Sequence, residues 1–66
     1  MTVKDFVPGE RVRYVPNHAH GDLGHKDVEN GIVSSTNDFY VFVKYVRHGV
    51  LQETAAATKP EDLVKG

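Results

Sequence analysis

The stretch that decides the fold is FYVFVKYV, residues 39 to 46. Read at a period of two, it puts Phe39, Val41, Val43 and Tyr45 on one side and Tyr40, Phe42, Lys44 and Val46 on the other. Aromatic and β-branched side chains pack well on a pleated surface and lose rotamer freedom in a helix, so the run reads as a strand. Both sides are largely apolar, which predicts a central strand. A chain of 66 residues cannot bury both sides inside one small barrel. The outer side therefore needs a cover, supplied by the N-terminal segment through Phe6 and Val7, by an early loop through Leu23 and Val28, or by another subunit.

Working outward, Gly31 to Ser35 reads as the preceding strand, and Thr36-Asn37-Asp38 supplies residues that tolerate a tight turn. Downstream, His48-Gly49 predicts a second turn, and Val50 to about Ala57 returns as a weaker strand. Within TAAAT, residues 54 to 58, alanine favours helix and the neighbouring hairpin favours pairing; we read it as strand. Nearer the N-terminus, Pro8-Gly9 marks a turn, and Glu10 to Val15 alternates Val12 and Tyr14 with Arg11 and Arg13. Pro16 ends that strand because it has no amide hydrogen to give a ladder. Lys59 to Leu63 reads as one helical turn with Pro60 at an early position, and Leu63 and Val64 then drop back onto the core as a short last strand. The expected fold is all-β: residues 1 to 66 form a single small barrel of four or five short antiparallel strands in meander order. It has one long early loop and a short helical turn before the last strand.

Composition agrees. Eleven of the apolar residues are valine, against three leucines and one isoleucine. Lacking cysteine, the chain has no disulfide, thiolate zinc site or cysteine nucleophile. No apolar run approaches a membrane span or a signal-peptide core. The formal charge of -1 gives no global attraction to nucleic acid or anionic membrane.

The GERVRYV opening, the glycine before the second strand and the P-x-x-L-V ending resemble the small Src-homology-3-like barrels, including the KOW and Tudor kinds. A closer resemblance is to a group of uncharacterised small proteins encoded by bacteriophages and prophages. The matching text is RVRYVPNHAHGD, HKDVENG, IVSSTNDFYVFVKY and KPEDLV, which spans residues 11 to 64. The chain departs from that group at Lys26 and Val28, where its members usually carry a proline and a cysteine. The resemblance implies a phage or prophage protein in the bacterial cytoplasm and brings no activity with it.

Three kinds of chemistry can be weighed from the residues. The loop NHAHGDLGHKDVEN, residues 17 to 30, is longer than the usual connection. In an extended segment His18, His20 and Asp22 would project to one side, and with His25 they form a candidate metal set. No HExxH, EF-hand or paired CxxC spacing accompanies them, and polar loops collect such residues for solubility and local bonding. Ser34 and Ser35 sit in a strand without a nucleophile-elbow sequence, so no enzymatic activity and no cofactor are expected. The outer side of the long strand, Tyr40, Phe42 and Lys44, flanked by Arg11 and Arg13, is the candidate binding surface. Aromatics with cations suit a single-stranded nucleic acid, yet exposed Tyr and Phe mark protein partners at least as often. The expectation is a protein partner or self-association first, nucleic acid second and loop metal third.

Overall fold

In the computed structural model, which describes residues 2 to 66, six strands form one antiparallel sheet. They are β1 (Arg11–Tyr14), β2 (Glu29–Thr36), β3 (Val41–Arg47), β4 (Val50–Leu51), β5 (Ala56–Thr58) and β6 (Leu63–Lys65). Their order is β4-β3-β2-β1-β6, with β5 also on β3. Three short 3-10 turns, Val3–Asp5, Asn17–Ala19 and Pro60–Asp62, are the only helical pieces among the described residues.

The central position of β3 follows from its two apolar sides. One edge pairs with β2 from Gly31↔Tyr45 to Thr36↔Val41, and the other pairs with β5 at Val41 to Val43 and with β4 at Val46 and Arg47. The weak return strand is thus two strands, because the chain bends at Glu53 and Thr54 and Ala55 lies outside both ladders. Alanine has little side chain to hold a continuous pairing there. Of TAAAT, only Ala56 to Thr58 is strand.

Phe39 is the one member of the predicted inner row that the core does not receive. It is 74% exposed, because β3 begins two residues later. Asn37 is the cause. Its Oδ1 accepts from the amides of Phe39 and Tyr40 at 2.8 and 2.7 Å, and its own amide donates to the Tyr40 carbonyl, closing a turn over residues 37 to 40. This is the local side-chain bonding that lets asparagine compete with a ladder. At the other hairpin, His48 and Gly49 both have positive φ, 54° and 76°, as a tight turn matching strand twist requires.

The core comprises Phe6, Val12, Val33, Val41, Val43, Tyr45 and Leu63, with Val3 and Tyr14 packed against it. All lie on the inner side of the sheet or in the N-terminal segment. β2 shifts register between Val33 and Ser35, leaving Ser34 as an extra residue. Such a bulge bends its strand and sharpens the twist, so β2 serves β1 with its first half and β3 along most of its length. Pro60 opens the last 3-10 turn at its first position, and the Val15 amide donates to the Asp62 carbonyl, which seats β6 beside β1.

Candidate functional site

The outer face of the sheet gathers most of the candidate binding residues. Alternation along β1 buries Val12 and turns Arg11 and Arg13 outward; along β3 it buries Val41, Val43 and Tyr45 and turns Phe42, Lys44 and Val46 outward. Register then aligns them. Arg11 pairs with Ile32 and Ile32 with Lys44, so two cations flank one isoleucine across three strands, about 5 Å per strand step. Arg13 stands opposite Asn30 on β2 and Val64 on β6. A shallow groove lined by Arg11, Arg13, Asn30, Ile32 and Val46 runs across this face. Tyr40 lies just before β3 in the Asn37 turn, 40% exposed, and so sits at the hairpin end of the patch.

The electrostatics distinguish these cations from others. Arg47 is paired with Glu29 at 2.9 Å and Lys65 with Glu10 at 3.0 Å. Arg11, Arg13 and Lys44 take part in no ion pair among the described residues. The apolar part of this face is only partly covered, with Ile32 and Phe42 half-buried and Val46 exposed. Phe6 is taken into the inner core, Val7 is 59% exposed and Leu23 is 45% exposed. Val28, the loop's other candidate cover, is half-buried. Leu51 on β4 and Val64 on β6 are exposed as well; β4 is too short for alternation to assign a face, and Val64, expected on the core with Leu63, faces outward because successive strand residues point to opposite sides.

The polar loop is a succession of turns. Pro16 precedes the 3-10 turn Asn17–Ala19, whose Ala19 is buried and anchors it, and His20 ends it at φ 50°. Asp22 Oδ1 then accepts from the Gly24 amide, and the His25 and Val28 amides donate to the carbonyls of Asp22 and His25. These turns bring His18 and His25 beside Asp27. His18 Nε2 is 2.6 Å from Asp27 Oδ2, His25 Nδ1 accepts from the Asp27 amide at 3.0 Å, and the two rings meet edge to face with centroids 5.2 Å apart. Of the predicted metal set, His18 and His25 are brought together, whereas His20 and Asp22 stay outside the cluster. The extended-segment reading fails here because the 3-10 turn and the left-handed His20 replace a period of two. Asp27, one of the loop's several carboxylates, takes the carboxylate position in place of Asp22. The hydrogen bond from His18 is the main reason that the Asp27 carboxyl is held below its ordinary 3.8.

Inside the sheet, the Tyr45 hydroxyl and Thr58 Oγ1 are 2.6 Å apart and buried, linking β3 to β5. Burial raises the Tyr45 pKa above the ordinary 10.0, against the opposing effect of the Thr58 hydrogen bond. No protein-family model matches the chain, and neither the curated proteins nor the solved structures contain a match to it. Among the described residues, no helix is long and apolar enough to cross a membrane.

Proposed function

We propose that the chain is a small interaction module of the phage and prophage kind that engages a protein partner, or a second copy of itself, through the outer face of β1, β2 and β3. The residues that make the contact are Arg11, Arg13, Phe42 and Lys44, with Tyr40 at the rim. One observation supports this reading above the others: unpaired cations surround half-buried and exposed apolar side chains on the outer face, while Val7 and Leu23, two of the candidate covers, stay exposed themselves. Partly exposed apolar surface rimmed by charge is the composition of a protein interface. A partner presenting an apolar side chain between carboxylates would match it. The six-stranded antiparallel sheet, its bulged β2 and the 3-10 turn before β6 support a Src-homology-3-like barrel as the scaffold.

Affinity capture from a bacterial host tests the reading, with Phe42→Ala and Arg13→Glu as on-face variants and light scattering to detect self-association. A retained protein, or a concentration-dependent dimer, that both variants lose is the expected result. A second reading, single-stranded nucleic acid on the same face, is favoured by the same three unpaired cations. It predicts a salt-sensitive shift of labelled single-stranded DNA or RNA that Arg13→Glu abolishes. No shift at low salt rejects it.

A further inference from the structure

The loop between β1 and β2 holds a second cluster that the sheet face does not use. We propose that His18, His25 and Asp27 form a binding site for a borderline divalent cation of the zinc class. One donor atom from each residue lies within 4.8 Å of the others. His18 Nε2 is 2.6 Å and His25 Nδ1 4.0 Å from the same carboxylate oxygen, Asp27 Oδ2. A tetrahedral ion with bonds of about 2.0 to 2.2 Å holds its ligand atoms roughly 3.3 to 3.6 Å apart. The observed spacings bracket that range, and small rotations of the two exposed side chains, His18 and Asp27, bring them into it around the half-buried His25.

The donor set selects the ion class. Two imidazoles and a carboxylate suit zinc, cobalt, nickel or copper, whereas magnesium and calcium require a shell of oxygens. The donors also come in the right state. His25 Nδ1 already accepts a hydrogen bond from the Asp27 amide, so this nitrogen has a free pair and the ring proton sits on Nε2. An ion exchanges that amide for a metal bond and replaces the proton shared between His18 and Asp27. Lys26 and Glu29 line the same shallow pocket with opposite charges, and Glu29 is already engaged by Arg47.

Backbone placement gives the site a purpose. His18 stands on the turn that leaves β1, anchored by buried Ala19, while His25 and Asp27 stand on the turns that enter β2. A bound ion clips the two ends of the loop together across nine residues, which is where a metal crosslink gains stability. The His18 and Asp27 side chains are 61% and 47% exposed, which leaves room for water as the remaining ligand.

The test is titration of the full chain with zinc ion alone, followed by histidine ring NMR, and with cobalt(II) followed by visible absorption. Expected is saturable binding of one ion per chain that shifts the His18 and His25 rings and leaves His20 and His48 in place. His18→Ala, His25→Ala and Asp27→Asn each weaken binding by at least about tenfold, while His20→Ala does not. Zinc raises the melting temperature of the wild type and not of His18→Ala. An unchanged spectrum of the β3 amides shows that each variant is folded. No saturable binding with zinc in excess, or binding that survives the loss of His18 and His25, overturns the proposal. The cluster shares no residue with the sheet face, so its failure leaves the interaction reading standing.

Discussion

Gly31 shows how much one residue position decides. It lies in β2 opposite Tyr45, on the inner side of the sheet, and a methyl group there would collide with Val43 Cγ1 and come within 3.0 Å of the Tyr45 ring and 3.1 Å of the Lys44 carbonyl. Two of those neighbours are fixed core side chains and one is backbone, so none gives way cheaply. Gly31→Ala is expected to destabilise the chain by about 1 to 3 kcal/mol, the usual size of an overpacked core. A melting temperature that stays within about 4 °C of wild type would contradict this. Tyr45 and Thr58 make the second test. Replacing Thr58 by valine keeps the volume and strands the buried hydroxyl of Tyr45, at an expected loss of about 1 to 3 kcal/mol in denaturant unfolding. The tyrosine also sets an alkaline limit. Its folded pKa lies above 10.0, so the unfolded chain releases the proton first, and stability is full below pH 10.0 and falls as pH rises beyond it. The melting temperature of Tyr45→Phe should decline less over that alkaline range.

At the scale of elements, the strands were legible and the loop was not, for one physical reason. Alternation is a property of a side-chain sequence, so β1 and the body of β3 could be read from Val12 and Tyr14 against Arg11 and Arg13, and from Val41, Val43 and Tyr45. Where a polar side chain captures the backbone, the pattern is overridden: Asn37 removes Phe39 from the inner row, and the turns at Ala19, Asp22 and His25 replace the extended loop segment. Arg11, Arg13, Phe42 and Lys44 came together because they sit on strands, whereas Tyr40 and half of the loop candidates lie in turns that set their directions. The His18 to Asp27 hydrogen bond is what the loop offers for measurement. Asp27 is held below 3.8 by it, so its contribution to loop order is present above pH 3.8 and lost as pH falls through the lower folded value. Carboxyl NMR should place the Asp27 midpoint below 3.8, and His18→Ala should return it towards that value; equal midpoints in both proteins would remove the interaction from the account.

For the whole molecule, the decisive fact is where apolar surface was spent. A domain this small has one core, and Phe6, Val12, Val33, Val41, Val43, Tyr45 and Leu63 fill it from the inner side of the sheet. The outer side of β3 is only partly covered, with Phe42 and Lys44 half-buried and Val46 exposed, and apolar area left in water forgoes about 25 cal/mol per Å². Arg11, Arg13 and Lys44 surround that partly exposed strip without ion-pair partners among the described residues, while Arg47 and Lys65 are already neutralised by Glu29 and Glu10. Specific binding should therefore depend on position and not on charge or aromaticity in general. Phe39 supplies the control, since it is the most exposed large apolar residue among the described residues and lies in the hairpin turn outside the outer row of β3. The most direct measurement is quantitative capture by four versions of the chain: wild type, Phe42→Ala, Arg13→Glu and Phe39→Ala. The outer-face account predicts that wild type and Phe39→Ala retain the same partner, with the other two losing it. Retention by Phe42→Ala and Arg13→Glu, loss only with Phe39→Ala, or a strictly monomeric wild type that captures nothing saturably would contradict it.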